Sequence, residues 1–89
     1  MEEKQTPFGQ LLMSLHVQGM IALGKIKNPM TDKIDKNLNV AKSSIKILED
    51  LKEKTEGNLS EREENIIKNI ISELRKNYVQ VANEEEDND

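Results

Sequence analysis

Cysteine and tryptophan are missing from this 89-residue chain, and the aromatic side chains are limited to Phe8 and Tyr78. Without cysteine there is no disulfide, no thiolate nucleophile and no cysteine-built zinc site, and redox compartment leaves no signature. Phe8 is expected in the core and Tyr78 on a buried arc, which leaves no stacking platform for single-stranded nucleic acid. No glycine-rich phosphate loop, HExxH pair or serine nucleophile motif occurs, so no motif indicates an enzyme. Apolar runs are short as well, none approaching the ~20 residues of a membrane span. The opening MEEKQTP carries acids where a secretion leader needs a basic region, so a cytoplasmic location with no membrane partner is expected.

What is present is charge and aliphatic pattern. Charged residues make up 34% and hydrophobic residues 35% of the chain, which is too apolar for full disorder and suits one helical domain. A domain of this size buries only about two thirds of its unfolded surface, and oligomerisation is a common remedy for the modest stability that results. The formal net charge is −4, but residues 25–54 hold eight lysines against five acids, a local +3 that leaves −7 for the rest.

Punctuation divides the chain into three helices. Thr6 as N-cap, Pro7 at the first helical position and Gly24 past the end define a helix over 7–23. Asn28-Pro29 and Thr31-Asp32 break the next segment, so 24–35 is expected to be an ordered loop, with a small hairpin between Ile26 and Ile34 as the alternative. Leu38, Ala41, Ile45 and Leu48, with Ile47 and Leu51 beside them, recur at helical spacing and predict a second helix over 36–55, ended by Gly57. Ser60 and Glu63 form a capping box that opens a third helix over 61–82. Residues 1–6 and the acidic 83–89 are expected to be disordered. The expected fold is all-α: a three-helix protomer, a helical hairpin plus an N-terminal helix, that oligomerises.

The first helix is apolar on two sides. At about 100° per residue, Phe8, Leu11, Leu12, Leu15, Ala22 and Leu23 line one face around Gly19, while Met13, Val17, Met20 and Ile21 form a stripe nearly opposite. Two amphipathic partner helices can cover the first face but not easily both. The second stripe therefore predicts an interface, for a second copy of the chain first and another protein second. Coverage by the 25–37 loop through Ile26, Met30 and Ile34 is the intramolecular alternative.

These residues carry a resemblance. Phe8-x-x-Leu11-x-x-Ser14-Leu15, Leu23-Gly24, Asn28-Pro29-x-Thr31, Leu48-x-x-Leu51-x-x-Lys54-Thr55-x-Gly57-Asn58-Leu59 and Leu74-Arg75-x-x-Tyr78-Val79 resemble a small bacterial family known as domain of unknown function 1844. The chain departs from it at Gln18-Gly19-Met20, in place of a more alanine-rich helix. The resemblance implies a compact helical bacterial protein and supplies no catalytic residue.

Residues that could carry chemistry also have plainer readings. His16 stands alone between the two stripes and reads as a boundary residue. Asp32 and Asp35 lack the spacing and the downstream glutamate of a calcium loop. Lys54, Thr55, Asn58 and Arg75 could hold an anion at the start of the third helix, but Glu61, Glu63 and Glu64 occupy that turn and repel one. The same carboxylates argue against reading the second and third helices as a DNA-binding helix-turn-helix. The sequence thus predicts a non-catalytic, homo-oligomeric interaction module with no cofactor and no metal, using Met13, Val17, Met20 and Ile21. The alternatives are a weak nucleic-acid or anion binder through residues 25–54, or an enzyme with a site near Lys54–Asn58.

Overall fold

The computed structural model describes residues 6–87, and the chain folds as α1 (Pro7–Ala22), α2 (Leu38–Lys54) and α3 (Glu61–Asp87). No strand forms among the described residues; the loop holds one isolated antiparallel bridge, Asn28 with Lys33. The fold is therefore all-helical, with an ordered loop in place of a hairpin.

The helix ends follow the sequence signals closely. Thr6 Oγ1 accepts from the Gly9 amide at 3.0 Å, and Pro7 follows at the first helical position. At the other end Gly24 takes φ 79°, its N–H bonds Ile21 O, and the Lys25 N–H reaches back to Met20 O, each at 3.0 Å. This crossed pair satisfies the last free carbonyls and stops α1. Asn37 caps α2, its Oδ1 accepting from the amides of Asn39 and Val40 at 3.1 and 3.2 Å. Because Asn37 is spent as the cap, α2 begins at Leu38 and not at 36. In α3 the Glu63 amide donates to Ser60 Oγ at 3.1 Å while Glu63 Oε1 accepts from the Ser60 amide at 3.0 Å.

Besides α1 and α2 each ending one residue before the expected 23 and 55, two further boundaries are corrected. Thr6, expected within a disordered N-terminal segment, is an ordered cap; residues 1–5 lie outside the described part. Likewise α3 continues to Asp87, five residues past the expected end at 82. Nothing after Val81 breaks a helix, glutamate sustains one, and Lys36 Nζ lies 2.9 Å from Glu85 Oε2. Residues 88 and 89 of the expected tail are outside the described part.

Two long-range contacts set the helix directions. Thr6 Oγ1 donates to Glu63 Oε2 and His16 Nε2 bonds Glu73 Oε1, both at 3.0 Å. Each pair is 57 residues apart in sequence. Ten residues, about 15 Å of helix, thus separate the two contacts on both helices, so α1 and α3 run parallel and in step. α2 runs back between their ends, fixed at its start by the Asn37 amide donating to Ala22 O at 2.7 Å. At 27 residues α3 outreaches the 16-residue α1, and the loop folds onto the excess, with Leu23 and Val81 both buried there.

The core is built from Leu12, Leu15, Ala22 and Leu23 with Ala41, Ile45 and Leu48, and from Ile67, Ile70, Ile71, Leu74 and Val81. Phe8 and Tyr78 are half-buried against it. Leu11, expected on the buried face of α1, is 45% exposed. The cause is where α3 sits: it packs on the side of His16 and Gly19, which draws Met20 towards the core and leaves Leu11 on the outer edge.

Candidate functional site

The second stripe of α1 is divided by this packing. Met13 and Val17 are each 41% exposed, Ile21 is half-buried, and Met20 is half-buried against the core. Three of the four residues, Met13, Val17 and Ile21, line one open groove of about 690 Å³, while Met20 is not among its lining residues. Ala22 and Val40 also line it, and the near wall is Asn28, Asp35 and Asn37. Ser14 and Gln18 complete the lining, half of whose residues are aliphatic though most of its exposed surface is apolar, and among the described residues its only ionisable side chain is Asp35.

The loop walls this groove without covering it. Ile26 is 41% exposed, Ile34 53% and Met30 90%, so the three residues that could have closed the stripe face outwards. Asn28 explains the geometry: its amide donates to Lys33 O at 2.8 Å, its carbonyl accepts from Asp32 N–H at 2.7 Å, and its Oδ1 takes the Met30 amide at 2.9 Å. Asp35 Oδ2 then accepts from Asn28 Nδ2 and Thr31 Oγ1 at 3.2 and 2.9 Å. Asp32 adopts φ 56°, a left-handed conformation that aspartate tolerates and that tightens the turn. Asp32 and Asp35 therefore build a turn, and among the described residues no cluster of histidine and acid side chains is arranged to hold a metal ion.

Val40 is a groove residue that the helical pattern does not single out. Its one signal is its position off the core arc of α2, which also sends Ile47 outwards at 47% exposure. With Asn37 fixed to Ala22, ten residues along α2 match ten residues back along α1, so Ile47 stands about level with Leu11 and Leu12. Exposed aliphatic side chains thus continue along the α1–α2 side beyond the groove.

The other candidate positions do not converge on one site. His16 bonds Glu73, about 15 Å along the helices from the level of Thr6 and Glu63. The turn after α2 is occupied with ending its helix: Thr55 Oγ1 donates to Leu51 O at 2.6 Å, the Asn58 amide donates to Thr55 O at 2.9 Å, and Gly57 takes φ 83°. Lys54 pairs with Asp50 at 3.2 Å and Arg75 with Glu49. A cleft of about 540 Å³ between α2 and α3 is lined by Glu49, Glu53 and Glu56 against Lys52, Lys68 and Arg75, a balance that favours neither anion nor cation. Along α2 the outward row Lys42, Lys46, Glu49, Glu53 changes sign midway, so its lysines form no continuous basic track. At the α3 N-terminus the Ser60 amide and the Thr6 hydroxyl hold the Glu63 carboxyl below its ordinary pKa of 4.5.

No helix among the described residues is long and apolar enough to cross a membrane. No curated protein and no solved structure matches the chain. The family model described as Domain of unknown function (DUF1844) matches residues 5–80, and the chain belongs to that family.

Proposed function

We propose that this member of a family of unknown function is a non-catalytic interaction module that self-associates through the outer side of α1. The observation that carries the reading is the exposure of Met13 and Val17 midway along a helix whose opposite face packs into the core. Such a stripe on a small domain marks a contact surface. A second copy is the simplest occupant, because one self-complementary patch suffices.

The magnitudes are compatible with this. Burying an aliphatic side chain contributes about 1.5–3 kcal/mol, and association costs about 4–15 kcal/mol in lost freedom and ordering. These side chains are already more than half covered, so each adds less than half of that: two per copy supply about 2–5 kcal/mol, whereas Met13, Val17, Ile21 and Val40 from each of two copies supply about 5–10 kcal/mol, within the range of the cost. His16 is engaged by Glu73 and the Lys54–Asn58 turn by ending α2, and the reading assigns neither a chemical role.

Sedimentation velocity on wild type and Val17→Asp tests the proposal. The substitution places a charge in the contact and leaves the core untouched, so an oligomer should become a monomer of unchanged helicity by circular dichroism. An oligomer that survives Val17→Asp would locate self-association on another surface.

A further inference from the structure

The chain carries a groove of largely apolar surface and, at its rim, an apolar projection that does not line it. Met30 is 90% exposed at the tip of a turn braced by Asn28 and Asp35, and those same two residues wall the groove. Met30 therefore stands beside its own groove without lining it. A turn held this firmly presents the side chain without the ordering cost that a slack loop would incur on binding.

We infer that the Met30 turn of one copy seats in the α1–α2 groove of a second copy, and reciprocally, about a two-fold axis. This rests on the self-association reading and specifies its arrangement. Because projection and groove share one rim, a single axis beside that rim brings each projection over the other copy's groove, and the contact closes as a dimer without growing into a filament.

Size and charge agree. A stable interface takes about 800 Å² from each partner, roughly an eighth of the 6524 Å² this chain exposes, so the contact has to extend from the groove onto the turn and the exposed α1–α2 surface beside it. Among the described residues the only ionisable side chain lining the groove is Asp35, and the arriving turn carries Lys27 and Lys33 against Asp32, a net +1 that meets the acidic wall with opposite charge. Methionine suits the role, since its flexible thioether side chain adapts to an irregular pocket.

The absence of cysteine makes the arrangement directly testable. Full-length Met30→Cys and Val17→Cys proteins, one carrying a mass tag, are mixed and oxidised mildly, and the disulfide species are resolved by mass spectrometry. A disulfide requires Cα atoms within about 7 Å, so the mixed species joining one Met30→Cys copy to one Val17→Cys copy should dominate over either species made of two identical copies. Circular dichroism of each variant first establishes that it is folded, and Met30→Asp in a sedimentation run gives a second reading, expected to be monomeric. Dominance of the species made of two Val17→Cys copies, or a Met30→Asp protein that stays dimeric while Val17→Asp does not, would overturn the projection-in-groove arrangement and leave self-association standing. A wild-type protein that sediments as a monomer would overturn both.

Discussion

Gly19 of α1 lies directly against Leu74 of α3, so closely that a Cβ added at Gly19 would come within 2.9 Å of Leu74 Cδ2 and 3.1 Å of Cδ1. Leu74 is fully buried and cannot swing away. Removing a glycine from a helix gains about 1 kcal/mol, but forcing extra volume into a filled core costs about 1–3 kcal/mol. Gly19→Ala should therefore lower stability by about 1 kcal/mol, a fall of roughly 4–8 °C in Tm for a domain of this size. Gly9→Ala is the control: its Cβ would meet only Thr6 Oγ1, at 3.4 Å, and its Tm should hold or rise. Equal effects from both substitutions would mean that the α1–α3 approach is looser than described.

Ser44 is fully buried in α2 with its hydroxyl unpartnered. A buried hydroxyl without a hydrogen bond costs about 1–3 kcal/mol, and alanine is the better helix former. Ser44→Ala should raise the midpoint of chemical denaturation with no change in its slope. A lower midpoint would show that the hydroxyl finds a partner in solution.

The carboxylate of Glu63 joins two helix starts, accepting from Ser60 N–H and from Thr6 Oγ1. These bonds favour its charged form, so its pKa in the folded chain is below the ordinary value. The sign follows from linkage: the charged group stabilises the fold above its unfolded pKa, and that contribution is lost as pH falls through the lowered folded value. Glu63→Gln keeps an acceptor for the capping box but has nothing to titrate. Wild type should melt above the variant at neutral pH, and the gap should close on acidification below about pH 4. A gap that persists unchanged at acid pH would contradict this account.

Most of the fold is legible in the sequence because its punctuation is local. Thr6-Pro7, Gly24 and Ser60-x-x-Glu63 each fix a helix end through bonds within a few residues, and each does so in the structure. What escapes depends on contacts between distant residues. No local signal shows that α3 lies on the His16–Gly19 side of α1, which is why Leu11 is exposed and Met20 packs inwards. Nor does one show that Asn28 and Asp35 brace the loop with Met30 facing outwards, which turns a segment that could have covered the stripe into a wall beside it. Val40 escapes for a related reason: a valine off the core arc of α2 gains meaning only once the groove against α1 exists. Acidic composition suggests disorder and so sets the end of α3 too early, whereas a continuing helix needs only good helix formers and no breaker.

The central claim is that the outer side of α1 is used by the protein itself, and molar mass by light scattering on a gel-filtration column, over a dilution series and at low and high salt, tests it most directly. The account predicts at least twice the 10.2 kDa of one chain, holding on dilution and little changed by salt because the contact is mainly apolar with only a few charges at its edge. A mass of 10.2 kDa at every concentration would contradict it.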